Sequence, residues 1–311
     1  MTTLKQLEAF YWAATSASFL IAAQRLHVSQ SSLSKRISEL EGQFGRQLFD
    51  RSGHKATLTE AGVILLPLAR RLLNTADELH TTMADDSRAS GHCRFGVGEH
   101  TSLTWLPDFV ALARKTYPNL ILEPSVDIGS ALEQHVDHGV FDFAVIAGLS
   151  SCSAIATKPL ADVRFHWAGA PSLVGKQKKL TAAMLREVAI ITMPVGAGAT
   201  RMADLWLTEN NFEVARRLTC NSLAAIAGLV IAGVGIGLFP ESWLREGQGH
   251  QALVRMTSDP PLPPLRYYLH WRRDDTRPLV ARLRGMVEQV ADFSKPNALW
   301  PPVKPAVKVR G

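Results

Sequence analysis

Residues 18–40 read SFLIAAQRLHVSQSSLSKRISEL, and the pattern in this stretch decides the fold of the first part of the chain. Ser18 can accept a hydrogen bond from the free amides of a helix that starts behind it, with Ala22, Ala23 and Leu26 facing inward. Small alanines there let another helix cross closely. Val28 marks a tight turn, and Ser29 caps a further helix running to about Glu41. Residues advance by about 100° along a helix, so Leu33, Ile37, Leu40 and Phe44 share one face while Ser31, Lys35 and Ser38 point away, with Ser34 beside them. Leu4, Leu7, Phe10, Tyr11 and Ala14, spaced by three and four, form the stripe of a preceding helix and complete a three-helix unit.

A helix with that outward face fits the major groove of B-DNA. Short polar side chains let the backbone approach base edges, and Gln30 can offer a bidentate amide to adenine. Ser31, Ser34, Lys35 and Arg36 are placed to hold phosphates and set register. Any three-helix bundle has a polar outer face, so the neighbouring segments decide. Residues 48–58 read as two short extended pieces around Ser52-Gly53, a small wing that brings Arg51 and Lys55. Thr59 then caps a long helix in which Ala61, Leu65, Leu68, Leu72, Ala76, Leu79 and Met83 recur at three or four residues. A stripe that long and narrow asks for a partner helix, with a bend at Pro67 and a hinge over 85–91. Wing and pairing helix together tip the balance towards duplex DNA.

The whole chain has 311 residues, about two domains by length. Hydrophobic residues at 46% and charged residues at 20% exclude disorder and low complexity as its general state. Lys and Arg number 34 against 28 Asp and Glu, a net +6 that favours an anionic partner. Cys93, Cys152 and Cys220, odd in number and far apart, fit neither a disulfide framework nor a metal-binding pair, and point to a reducing compartment. The first nineteen residues carry no signal-peptide pattern, so no export is expected. Residues 223–239 lack charge over 17 positions, but Gly228, Gly233, Gly235 and Gly237 favour a buried helix breaking into a buried strand over a membrane span.

From Cys93 strands and helices alternate: strands near 94–98, 120–127 and 142–147, helices over 102–115 and 130–138. A similar unit follows, with strands near 165–168 and 189–192, a helix over 200–209 and the helix and strand of 222–239. After the linker 260–264 come a strand over 266–271 and a helix over 278–293. Two βα lobes with mostly parallel sheets and a late return to the first describe a hinged fold with a cleft between lobes.

Residues 22–35, AAQRLHVSQSSLSK, with Leu40-Glu41, 45–51 (GRQLFDR) and 58–62 (LTEAG), resemble the amino-terminal region of LysR-type transcriptional regulators. A weaker resemblance continues through 139–145, 221–223, 233–240 and 271–273, so it covers most of the chain. It implies an α/β protein with an N-terminal all-α winged helix-turn-helix and an effector domain of two Rossmann-like lobes of the periplasmic-binding-protein type. The expected boundaries are 1–58 for DNA binding, 59–90 for the pairing helix and hinge, and 91–295 for the effector domain. In that domain lobe I takes 91–161 and 266–295, lobe II takes 162–265, and a mobile Pro/Lys tail occupies 296–311. The implied partners are promoter DNA, a small-molecule inducer, further copies of the chain as a dimer of dimers, and RNA polymerase, in the cytoplasm and without a membrane.

The family's inducer site lies between the lobes, where free helix-start amides suit small anions. The matching positions are Glu99, His100, Thr101 and Ser102, then Gly129 and Ser130, then Pro194, Val195 and Gly196 with Thr200, and Phe239. A carboxylate at Glu99 would repel an organic acid unless it faces away or is neutralised, for instance by His100. Ala147 stands where the family often has arginine. Pocket lining and solvated rim stay open as readings of Glu99 and His100.

Other motifs fail. Glu133, His135, Asp137 and His138 lack a fixed fourth ligand, and 233–237 is not GxGxxG because Leu238 stands at the last glycine's place. Neither GxSxG nor HExxH nor a P-loop occurs, and Ser242 lacks the glycines of a nucleophile elbow. No catalytic residue, metal or cofactor is expected. The alternative class is a cytoplasmic small-molecule-binding protein or enzyme whose first 90 residues serve as an oligomerisation arm.

Overall fold

The computed structural model describes residues 1–16, 18–52, 56–83, 91–176, 178–244 and 252–297. Lys55 of the wing, most of the hinge and the tail from 298 lie outside the described residues. The chain opens with α1 (Leu4–Thr15), α2 (Phe19–Arg25) and α3 (Gln30–Phe44). Each is capped by a side chain: Thr3 and Gln6 form a reciprocal capping box on α1, Ser18 accepts from the Ile21 amide, and Ser29 accepts from the Ser32 amide. Leu33, Ile37 and Leu40 pack against Phe10, Ala22 and Ala23 as the stripe predicts. Phe44 differs: it is exposed, because Gly45 takes a left-handed conformation at φ 62° and ends the helix there.

The wing is β1 (Phe49–Asp50) paired antiparallel with β2 (Thr57–Leu58). Buried Glu41 on α3 holds it, accepting from the amides of Leu48 (2.8 Å) and Phe49 (3.2 Å) and from Arg51 Nη2 (3.2 Å). The helix α4 (Glu60–Met83) then runs through Pro67. Its apolar residues split between two faces. Leu65, Leu66, Ala69 and Leu73 pack onto the three-helix core, while Ile64, Leu68, Leu72 and Leu79 stand exposed.

Lobe I is a five-stranded sheet in the order β4-β3-β5-β12-β6, formed by β3 (Gly91–Val97), β4 (Leu120–Val126), β5 (Phe143–Ala147), β6 (Ile155–Val163) and β12 (Leu265–Arg272). Helices α5 (Glu99–Ser102), α6 (Leu106–Thr116) and α7 (Gly129–Asp137) connect its first strands. Lobe II has the order β11-β7-β10-β8-β9, from β7 (Phe165–Gly169), β8 (Ala189–Thr192), β9 (Arg217–Thr219), β10 (Gly235–Pro240) and β11 (Val254–Arg255). It carries α8 (Pro171–Val174), α9 (Ala182–Glu187), α10 (Gly198–Glu209) and α11 (Leu223–Ile231), and the chain returns to lobe I with α12 (Pro278–Val290) against α6.

The sheets are more mixed than the alternating pattern implies. Three strands of each are parallel, but β12 and β6 in lobe I, and β7 and β11 in lobe II, run antiparallel to their neighbours. Helical crossovers produce parallel neighbours, whereas β6 and β7 are joined across the lobes through Arg164 alone. The expected helix over 102–115 is two, broken at 103–105. Residues 223–239 form α11 and buried β10, and a Cβ at Gly235 would stand 2.3 Å from the Ala189 carbonyl oxygen, so only glycine lets the strands approach. Among the described residues no helix is long and apolar enough to cross a membrane.

A buried polar cluster joins the amino-terminal helices to lobe I. The Tyr11 hydroxyl accepts from Arg94 Nη1 (2.6 Å) and from Arg70 on α4. Asp142 accepts from the Arg94 amide (2.7 Å), from Arg277 Nη2 (2.8 Å) and from Arg70. The Arg94 guanidinium also lies over the Trp12 ring at 4.1 Å. Burial disfavours the charged form of Asp142, but the Arg70 and Arg277 guanidiniums outweigh it and hold the carboxyl at about 2.

Candidate DNA-reading face and interlobe cleft

The face of α3 opposite Leu33 and Ile37 is open. Gln30, Ser31 and Lys35 are exposed, and Ser34 and Arg36 are half-buried beside them. Ser29 and Ser31 share a hydroxyl hydrogen bond of 2.9 Å at the helix start, so the side chains nearest the first turn are short and ordered. Arg51 has a second task that its sequence position does not reveal, since it pairs with Glu41 and lies 5.9 Å from the Phe19 ring centroid.

Between the lobes lies a cavity of about 70 Å³ lined by Glu99, His100 and Gly129, and by apolar residues such as Ile146, Phe165 and Met193. The other expected positions fall elsewhere. Thr101 is fully buried, Ser102 donates to the Glu99 carbonyl (2.7 Å), and Thr200 Oγ1 donates to the Met193 carbonyl (2.9 Å). Phe239 stacks on Trp243 at 6.2 Å inside lobe II. Ser130 meets the 194–196 segment at the lobe seam, where a Cβ on Gly196 would come within 2.3 Å of the Ser130 hydroxyl, and Val195 is exposed. Pro194 accepts from the Ala197 amide in the turn before α10.

Sequence reasoning missed Asp127, Ile128, Tyr267 and Leu223, which also line the cavity. They come from three separated parts of the chain, and only the closure of the two sheets brings them together.

His100 is 3% exposed, ringed by Phe165, Tyr267, Trp243 and Phe293 at centroid distances of 5.6–6.5 Å. Neither ring nitrogen has a hydrogen-bond partner among the described residues. Burial pushes its pKa down to about 3, so it is neutral and does not neutralise Glu99. That carboxylate instead accepts hydrogen bonds across the cleft from Ser222 Oγ (3.0 Å), the Ala224 amide (3.1 Å) and the Leu223 amide. On and beside α7, Glu133 accepts from Ser150, Asp137 accepts from Cys152 Sγ (3.2 Å), and the His135 ring tilts against Phe141.

Residues 4–63 match the family described as bacterial regulatory helix-turn-helix protein, lysR family, and residues 86–292 match the LysR substrate binding domain. The HTH-type transcriptional regulator YeiE of Escherichia coli K12, described as uncharacterized, is 31% identical over 236 residues, covering 75% of this chain and 79% of its own. A full-length OxyR variant from Pseudomonas aeruginosa superposes with a TM-score of 0.73 at 19% identity, over 97% of this chain and 99% of that one. Full-length CbnR, solved with its target DNA, superposes with a TM-score of 0.60 at 20% identity, over 93% and 99%. These relatives are transcriptional regulators, which disfavours the enzyme alternative. With a LysR helix-turn-helix at one end and a LysR effector domain filling most of the rest, the chain belongs to the LysR family of transcriptional regulators.

Proposed function

We propose that this regulator binds double-stranded promoter DNA through the outward face of α3, and that a small inducer between the lobes governs the spacing of recognition helices in a dimer of dimers. The carrying observation is the exposure of Gln30, Ser31 and Lys35 on one side of a helix whose other side is sealed into the core. The likeness to CbnR, solved on its target DNA, supports it. Gln30 reads a base, while Ser31, Ser34, Lys35, Arg36, Arg51 and Lys55 contact the phosphate backbone. The protein acts in the cytoplasm, where RNA polymerase is its further partner. Ligand control is a difference in affinity between two arrangements of the subunits.

Two substitutions separate the roles. Gln30→Ala should narrow the gap between specific and non-specific DNA by about 1–3 kcal/mol, read from competition gel shifts. Lys35→Ala should weaken all sequences alike and reduce the slope of log affinity against log salt by about one. A Gln30→Ala protein with unchanged sequence preference would remove the base contact from the account.

A further inference from the structure

The cleft is bridged by a carboxylate that belongs to the chain. Glu99 begins α5 in lobe I, yet its three hydrogen bonds are to Ser222, Leu223 and Ala224 at the start of α11 in lobe II. Ser222 Oγ in turn accepts from the Ala225 amide (3.2 Å), so the amides of this first turn are already satisfied. A helix start carries partial positive charge and favours an anion, and here the anion is tethered. Nearby the lobes touch again: Arg201 Nη2 donates to the Ala147 carbonyl (3.1 Å), and a Cβ on Gly198 would meet Ala147 at 2.6 Å. Among the described residues the charged side chains lining the remaining cavity are Glu99 and Asp127, with neither lysine nor arginine. Behind them lies the His100 ring, 3% exposed, its two nitrogens buried without a hydrogen-bond partner among the described residues.

We propose that Glu99 is a built-in anionic ligand: from lobe I it fills the anion seat at the start of α11, holds the lobes together, and excludes carboxylate effectors from that seat. This rests on reading the cleft as the effector site. The effector of the wild-type protein is then small and not anionic, and it does not use the amides of α11.

Removing the side chain should open the seat to a free carboxylate. The test is thermal unfolding of the full chain, wild type against Glu99→Ala, in sodium acetate, in sodium chloride of equal ionic strength, and in acetamide. Glu99→Ala should unfold at lower temperature than wild type. Acetate near 100 mM, about tenfold above a dissociation constant in the 10 mM range, should then raise its Tm saturably by about 3 °C. Wild type should stay within about 1 °C of its chloride value. Acetamide should not restore Glu99→Ala. Equal acetate responses in both proteins, or no response in Glu99→Ala, would overturn the proposal.

If Glu99→Ala folds poorly, its refolding yield in acetate against chloride makes the same comparison, and acetate must recover folded protein. Glu99→Gln keeps the volume and loses the charge. It should unfold below wild type, and equal stability would also count against the tethered anion. None of these readouts involves DNA. A wild-type cleft that binds a carboxylate metabolite tightly would sink this proposal while leaving the effector role intact. A cleft that answers no metabolite at all would instead sink the effector reading and leave the acetate result standing.

Discussion

Replacing Asp142 with alanine should destabilise the protein by about 3–5 kcal/mol, because it leaves Arg70 and Arg277 buried without their shared carboxylate. Thermal unfolding should show a Tm lower by roughly 10 °C. Asp142→Asn, which keeps the shape, should fall nearly as far, since the missing charge is the cause and not a cavity. The cluster also ties α1 to lobe I through Tyr11 and Arg94, so limited proteolysis should cut the variant faster than wild type. The pH dependence has a definite sign. The folded-state pKa of Asp142, about 2, lies below the ordinary carboxyl value of 3.8. Its contribution is therefore complete above the unfolded value and is lost as pH falls from about 4 towards 2. Wild type should lose stability through that window more steeply than Asp142→Asn, and parallel curves would remove Asp142 from the acid sensitivity.

The second large effect concerns α4. Leu68 and Leu72 lie on the face of this helix that its own domain leaves uncovered, with Leu72 53% exposed. Exposed leucines repeated at this spacing are stabilised by a matching helix. Leu72→Asp should leave the unfolding temperature of the isolated chain nearly unchanged, because the side chain is exposed and outside the core formed by the described residues, yet it should abolish self-association in sedimentation. Affinity for a promoter with two half-sites should then drop by about 10²–10⁴, the loss expected when two linked contacts become one. Leu72→Asp that sediments like wild type would show that the pairing surface lies elsewhere.

The parts legible in the sequence are those where one local pattern suffices. Ser18, Ser29 and the Leu33-Ile37-Leu40 stripe fix α2 and α3 without reference to the rest of the chain. The glycines of 233–237 announce the close approach seen at Gly235. What escaped depends on distant partners. The strand β6 carries Pro159 and a burial pattern without clean alternation, because it is an edge strand with a register shift against β12 at Tyr267 and Tyr268. Glu41 and Arg51 read as a helix end and a DNA contact, but ten residues apart they brace the wing. Glu99 is 123 residues from Ser222, so nothing near it in sequence identifies the helix start that neutralises it. The long stripe of α4 was visible, but not its division between a core face and a free one, which follows from the packing of α1.

The central claim is that the outward side of α3 lies against a duplex, presented twice by paired subunits. Fluorescence anisotropy of a labelled promoter fragment, titrated with the full chain from about 50 to 200 mM salt, tests it most directly. Affinity should fall by at least about 10³-fold over that range, with a smaller slope for Lys35→Ala and a reduced specific-to-random ratio for Gln30→Ala. Binding that ignores salt and is indifferent to both substitutions would contradict it.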